Sequence, residues 1–157
     1  MKIKAIMTDQ VRSCGPDTNL ASVVETMWTG DCGIVPVINE RGEAIGVVTD
    51  RDVCIALGTR DVPASTLVAR NVMTQPVIGC APEDDCLAAL LTMEERRVHR
   101  LPVLGIGGVL LGIVSIDDIV RWAARAPATD PLRLMVLDVL AGVSPRARPV
   151  RAIVAGA

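Results

Sequence analysis

Shifted by 66 residues, the chain lies on itself without a gap, and this internal repeat limits the possible folds more than any other feature. Between segments 6–53 and 72–119 thirteen aligned pairs are identical, among them Met7/Met73, Thr8/Thr74, Cys14/Cys80, Pro36/Pro102, Gly46/Gly112 and Asp52/Asp118. Conservative pairs such as Ile38/Leu104 and Thr49/Ser115 fill many of the remaining positions. Chance gives only a few identities over such a stretch, so the chain holds two copies of one supersecondary unit.

The periodicity of apolar residues changes in the same order in each copy. A short strand at Val11–Cys14 (Val77–Cys80) leads to Pro16 (Pro82). A helix follows over about 19–29, opened by the capping residues Asp17-Thr18-Asn19, or Glu83-Asp84-Asp85 in the second copy. Next come a strand at Ile34–Ile38 (Leu101–Leu104), a turn at Gly42 (Gly108) and a strand at Ala44–Thr49 (Val109–Ser115). A helix from about residue 50 (116) closes the unit. Each copy therefore reads β-α-β-β-α, an α/β (α+β) pattern with two strands joined as a hairpin. Gly105-Ile106-Gly107-Gly108 lacks the spacing of a dinucleotide fingerprint and precedes a strand, so it reads as the hairpin turn.

The expected organisation is a first repeat over 1–61, a linker and second repeat over 62–127, and a C-terminal region over 128–157. That last region is read as a helix at Leu132–Val143 followed by a mobile, solvated tail carrying Arg146, Arg148 and Arg151. A unit of roughly 60 residues buries too little surface to be secure alone. The copies should pack together about a pseudo-twofold axis, leaving a cleft between them where function is to be sought.

Composition narrows the function classes. Half of the residues are hydrophobic and the net charge is −2, which supports a folded core and offers no basic field for nucleic acid. Trp28 and Trp122 are the only aromatics, too few for a base-stacking platform. No stretch approaches the roughly 18 apolar residues that span a bilayer, and no signal-peptide pattern is present, so a cytoplasmic protein without membrane contact is expected. The five cysteines are scattered without a C-x-x-C pair and read as buried thiols. One histidine serves the whole chain, with no nucleophile–base arrangement, no G-x-S-x-G and no metal motif, so no catalytic residue, catalytic cofactor or metal is expected.

The repeated markers are Met-Thr before the first strand, Pro-Val on the second, and Gly46-Val47-Val48-Thr49-Asp50-Arg51-Asp52 with its partner Gly112-Ile113-Val114-Ser115-Ile116-Asp117-Asp118. In these the chain resembles the CBS-domain family, named for a regulatory region of cystathionine β-synthase, over about residues 5–125. The resemblance implies a tandem pair that dimerises into a disc, binds an adenosine nucleotide in its central cleft, and signals to a regulated partner protein. AMP, ADP and ATP are the expected ligands, although S-adenosylmethionine, NAD(H) and cyclic dinucleotides share the same adenosine features.

Physical chemistry suits the marker turn to a nucleotide. A hydroxyl at a helix start caps the helix or meets a phosphate oxygen, and a carboxylate one turn on can accept both ribose hydroxyls. By resemblance these roles fall to Thr49 with Asp52, and to Ser115 with Asp118. Val98-His99-Arg100-Leu101-Pro102-Val103 resembles the His-Arg-Leu-Pro-Val stretches of the gamma subunit of AMP-activated kinase, which assigns phosphate contact to His99 and Arg100. Gly33 and Ile34 stand at the aligned positions of the first copy, where Arg51 is expected to compensate in part. Where the family often carries a cleft-facing Thr, this chain has Ser13 and Gly79. Alternation then turns Cys14 and Cys80 towards the core. The competing reading is a ligand-free dimerisation scaffold, favoured by Gly79, Asp117 and the lack of aromatics to stack on adenine.

Overall fold

The computed structural model describes residues 1–127 and 131–143. Asn19 starts α1 (Leu20–Gly30) by accepting a hydrogen bond from the Ser22 amide at 3.0 Å, and the helix stops where Asp31 turns left-handed. Leu20, Val23 and Met27, spaced on one face, are its buried residues. β1 (Ile34–Ile38) pairs antiparallel with β2 (Ala44–Thr49), and α2 (Asp50–Arg60) leaves directly from the strand. The second copy repeats this with α3 (Cys86–Arg96), β3 (Arg100–Leu104), β4 (Leu110–Ser115) and α4 (Ile116–Ala123). Asp85 caps α3 through the Leu87 amide. The helices, strands and hairpin turn thus fall within a residue or two of their expected positions.

The first strand of each copy is shorter than expected. Instead of Val11–Cys14 a single parallel bridge joins Cys14 to Val37, with Cys80 and Val103 matching it in the second copy. Cys14 donates to the Pro36 carbonyl at 3.0 Å and its own carbonyl accepts from Ile38 at 2.9 Å. Pro36 faces this segment without an N–H to give to Arg12, so the pairing does not extend back from Cys14.

Each copy's leading segment belongs to the other copy's core. Ile3 is fully buried among Leu90, Met93, Leu101 and Ile119 of the second copy. Ala69, with Leu67, Val72 and Met73 beside it, packs against Leu20, Val23, Val35 and Val48 of the first. The exchange is stitched by backbone bonds: Thr8 exchanges amide and carbonyl with Ile113 at 2.9 and 2.9 Å, and Thr74 does so with Val47 at 2.8 and 3.1 Å. Cross-copy bridges come in pairs 66 residues apart, except Glu43 with Val109, which maps onto itself and so marks the pseudo-twofold axis. Burying a side chain the size of Ile3 stabilises by about 1.5–3 kcal/mol.

Two glycines make the exchange possible. A Cβ on Gly112 would lie 2.7 Å from the Thr8 carbonyl oxygen, and one on Gly46 would lie 2.5 Å from Met73 Sδ. The Met-Thr and Gly-x-Val markers are therefore two faces of one contact between copies. Finally α5 (Pro131–Val143) lies against α3 and α4, burying Val136, as the apolar run suggests. The arginine-containing tail lies outside the described residues.

Candidate functional site

Both marker turns are strand-to-helix junctions closed by a reciprocal cap. The Thr49 hydroxyl accepts from the Asp52 amide at 3.2 Å and donates to Asp52 Oδ2 at 2.7 Å, while the Thr49 amide donates to that oxygen at 2.9 Å. Ser115 and Asp118 repeat the arrangement at 3.2, 2.6 and 2.9 Å. The hydroxyl proton is thus already committed to the carboxylate. What the turn offers a ligand is the second carboxylate oxygen, Oδ1, which takes no part in the cap, held rigidly beside the start of a helix.

A cavity of about 280 Å³ opens beside the second of these turns, and both copies build it. Ile113, Ser115 and Asp118 come from the β4–α4 junction, and Arg100 from the start of β3. The leading segment contributes Thr8, Val11 and Arg12 along the seam to Ile113, and the first copy adds Gly30 and Ile34. Ile34 and Arg100 are pseudo-equivalent, so both copies' second strands begin at this cleft. Val11, Ile34 and Ile113 supply the apolar part of a lining that is otherwise largely polar, with Thr8, Gln10, Arg12, Arg100, Ser115 and Asp118.

Of the eight residues singled out from sequence, Arg100, Ser115 and Asp118 come together in this cavity. Ser13, Thr49, Arg51, Asp52 and His99 do not line it. His99 is exposed, and its carbonyl accepts from the Ile116 amide. Arg51 is exposed on the first turn of α2, its amide donating to Asp50 Oδ1. Ser13 is half-buried on the segment before Cys14. Gly79, its counterpart, has no room for a side chain: a Cβ there would lie 2.7 Å from the Pro102 carbonyl oxygen. The first-strand threonine of the family is excluded there by backbone crowding.

Arg12 is the cavity residue that the sequence reading passed over. Its guanidinium donates to Thr29 Oγ1 at 2.9 Å across the end of α1. Its counterpart in the second copy is Ile78, so the repeat carries no trace of it. Cys14 and Cys80 do face the cores, where burial raises both thiols; with the Asp84 carboxylate adding to it, Cys80 is pushed up to about 12. Among the described residues no three His, Cys, Asp or Glu side chains are grouped to hold a metal ion, and no helix is long and apolar enough to cross a membrane.

With the geometry in place, comparison with known proteins is direct. The CBS domain profile matches residues 3–59 and 69–125, and the chain belongs to the CBS-domain family as a tandem pair. Such pairs are generally regulatory modules. An uncharacterised protein of Methanopyrus kandleri is 30% identical over 114 residues, which are 73% of this chain and 58% of that protein. The chain thus spans under two thirds of that relative. Among solved structures, the CBS domain pair of protein MJ0100 in complex with 5′-methylthioadenosine and S-adenosyl-L-methionine matches with a TM-score of 0.72 at 18% identity, over 79% of this chain and 96% of that one. The conserved CBS domain protein TA0289 of Thermoplasma acidophilum matches at 0.74 and 20% identity, over 90% of this chain and 75% of that one. At these identities the structural matches speak for the fold.

Proposed function

We propose that this CBS pair is a regulatory module that binds an adenosine nucleotide in the cleft between its copies and signals the occupancy to a partner protein. The observation that carries the reading is the convergence of Arg100, Ser115 and Asp118 on one two-copy cavity. In this reading Asp118 Oδ1 accepts from ribose hydroxyls, and a bond to an ionised group contributes about 1.5–3 kcal/mol. The Arg100 guanidinium supplies a fork for phosphate oxygens. The bound 5′-methylthioadenosine and S-adenosylmethionine of the MJ0100 pair agree with an adenosine-type ligand. Because both copies line the cavity, a seated ligand would favour one relative placement of the copies over another, which is what control of a partner requires.

The module acts as a cytoplasmic homodimer in this reading. Val24 and Trp28, on one face of α1, are 40% and 85% exposed, and beside them Cys54 and Leu57 of α2 line a groove of about 650 Å³. The same exposed face supports the second reading, a dimerisation scaffold that needs no ligand.

Thermal unfolding against AMP, ADP, ATP, S-adenosylmethionine and NAD decides between them. A ligand at 100 times its dissociation constant adds about 2.7 kcal/mol of stability. The sensor reading expects a raised midpoint with at least one compound, lost in Asp118→Asn, which keeps an oxygen for the cap but removes the charge. A folded dimer with no shift for any compound leaves the scaffold.

A further inference from the structure

We propose that the cleft selects adenosine ligands carrying a 5′-phosphate, and that Arg12 makes the selection together with Arg100. This rests on the adenosine-site reading above and goes beyond it by assigning a second cation and a ligand charge. Arg12 and Arg100 reach the same cavity from different copies, one on the leading segment and one at the start of β3. Against these two guanidinium groups the cavity lining holds a single carboxylate, Asp118. Its Oδ2 is occupied by the Ser115 hydroxyl and amide. Neither arginine forms an ion pair among the described residues. The lining of this cavity thus carries two cations against one carboxylate, while Arg100 also borders the neighbouring groove that holds Asp31 and Asp50.

Arg12 is exposed and is tethered at one end. Its Nη1 donates to Thr29 Oγ1 at 2.9 Å, and that hydroxyl in turn donates to the Glu25 carbonyl at 2.8 Å. Beneath the side chain lies Gly30, where a Cβ would come within 2.8 Å of Arg12 Cδ. A side chain there would push the arginine off this path. At the pseudo-equivalent positions stand Ile78, Glu95 and Arg96 in place of Arg12, Thr29 and Gly30. The device is thus built once, on the Ser115–Asp118 side. A guanidinium fixed at one end by Thr29 keeps further N–H donors for a phosphate oxygen. A sulfonium ligand meets the same two cations as repulsion.

The test measures calorimetric affinities of adenosine, AMP and S-adenosylmethionine for the intact chain and for Arg12→Gln and Arg12→Lys. In the wild type AMP is expected to bind at least tenfold more tightly than adenosine, and S-adenosylmethionine more weakly than AMP. Arg12→Gln should reduce the AMP-to-adenosine ratio by about tenfold with adenosine affinity little changed, and Arg12→Lys should recover part of it. Equal affinities for adenosine and AMP in the wild type would overturn charge selection while leaving the adenosine site standing. An equal loss for both ligands in Arg12→Gln would make Arg12 a structural residue at the end of α1. Failure of all three compounds to bind would remove both readings together.

Discussion

Replacing Gly112 by alanine tests the exchange of leading segments at its tightest point. The added Cβ would stand 2.7 Å from the Thr8 carbonyl oxygen and 3.0 Å from Met7 Sδ. The sulfur can swing aside, but the carbonyl cannot, because it accepts from the Ile113 amide at 2.9 Å while the Thr8 amide donates to the Ile113 carbonyl at 2.9 Å. Relieving the clash means lifting Thr8 off β4, at about 1 kcal/mol for each of two hydrogen bonds. Keeping Thr8 in place instead means overpacking, at about 1–3 kcal/mol. The first route gives a destabilisation of about 2 kcal/mol and the second about 1–3 kcal/mol. Gly46→Ala is the internal control, since its closest neighbours all belong to the Met73 side chain and none to backbone. It should cost less, about 1 kcal/mol after Met73 repacks. Urea unfolding of the two variants beside the wild type reads both values, and the order matters more than either number. Gly112→Ala within 0.5 kcal/mol of wild type, roughly the noise of surface substitutions, would refute the close-approach argument, as would a reversed order.

The cysteines and one cap supply the remaining predictions. In the native protein a thiol reagent at pH 8 should modify exposed Cys54 quickly, and buried Cys14, Cys80 and Cys86 only after unfolding, since burial raises all three thiols; mass spectrometry of the labelled peptides checks this, and early labelling of Cys80 would contradict it. Asp85→Ala should cost about 1 kcal/mol by removing the α3 cap. The Asp85 carboxyl is held below its ordinary range by the Leu87 amide and then by the N-terminal ammonium 3.0 Å away. A lowered folded value means that its contribution is full above the ordinary carboxylate range and is lost as pH falls through the lowered value. The difference between wild type and Asp85→Ala should therefore shrink in acid; a gap that widens below pH 4 would contradict that sign.

The local elements were legible because their signals are local. Asn19 and Asp85 cap helices where capping chemistry predicts, and Gly42 and Gly108 turn the chain at positive φ. The strand at Val11–Cys14 was over-read, because an apolar alternation next to Pro36 cannot be matched by a full ladder. The exchange of leading segments was not legible at all. An offset of 66 residues says that two units are alike, but not which core Ile3 enters, and residues 8 and 113 carry no shared signal along the chain. Arg12 escaped for a related reason: its aligned partner is Ile78, so the repeat does not mark it. Thr49, Ser115, Asp52 and Asp118 were located correctly as turn residues, yet their mutual cap had to be seen before their free ligand capacity could be counted.

The Thr8–Ile113 seam also governs how this molecule comes into being. Ile3 finds its partners around Asp84, Leu90 and Leu101, so it is covered only when the second copy is in place. The Thr8–Ile113 bonds close the longest loop in the backbone bonding of the described residues, and such closures are entropically costly and slow. The wall of the cleft is therefore among the last parts to be completed and, by the same connectivity, cannot loosen without exposing the second core. A small molecule resting against Thr8 and Ile113 would thus act as a clasp between the leading segment and the second copy.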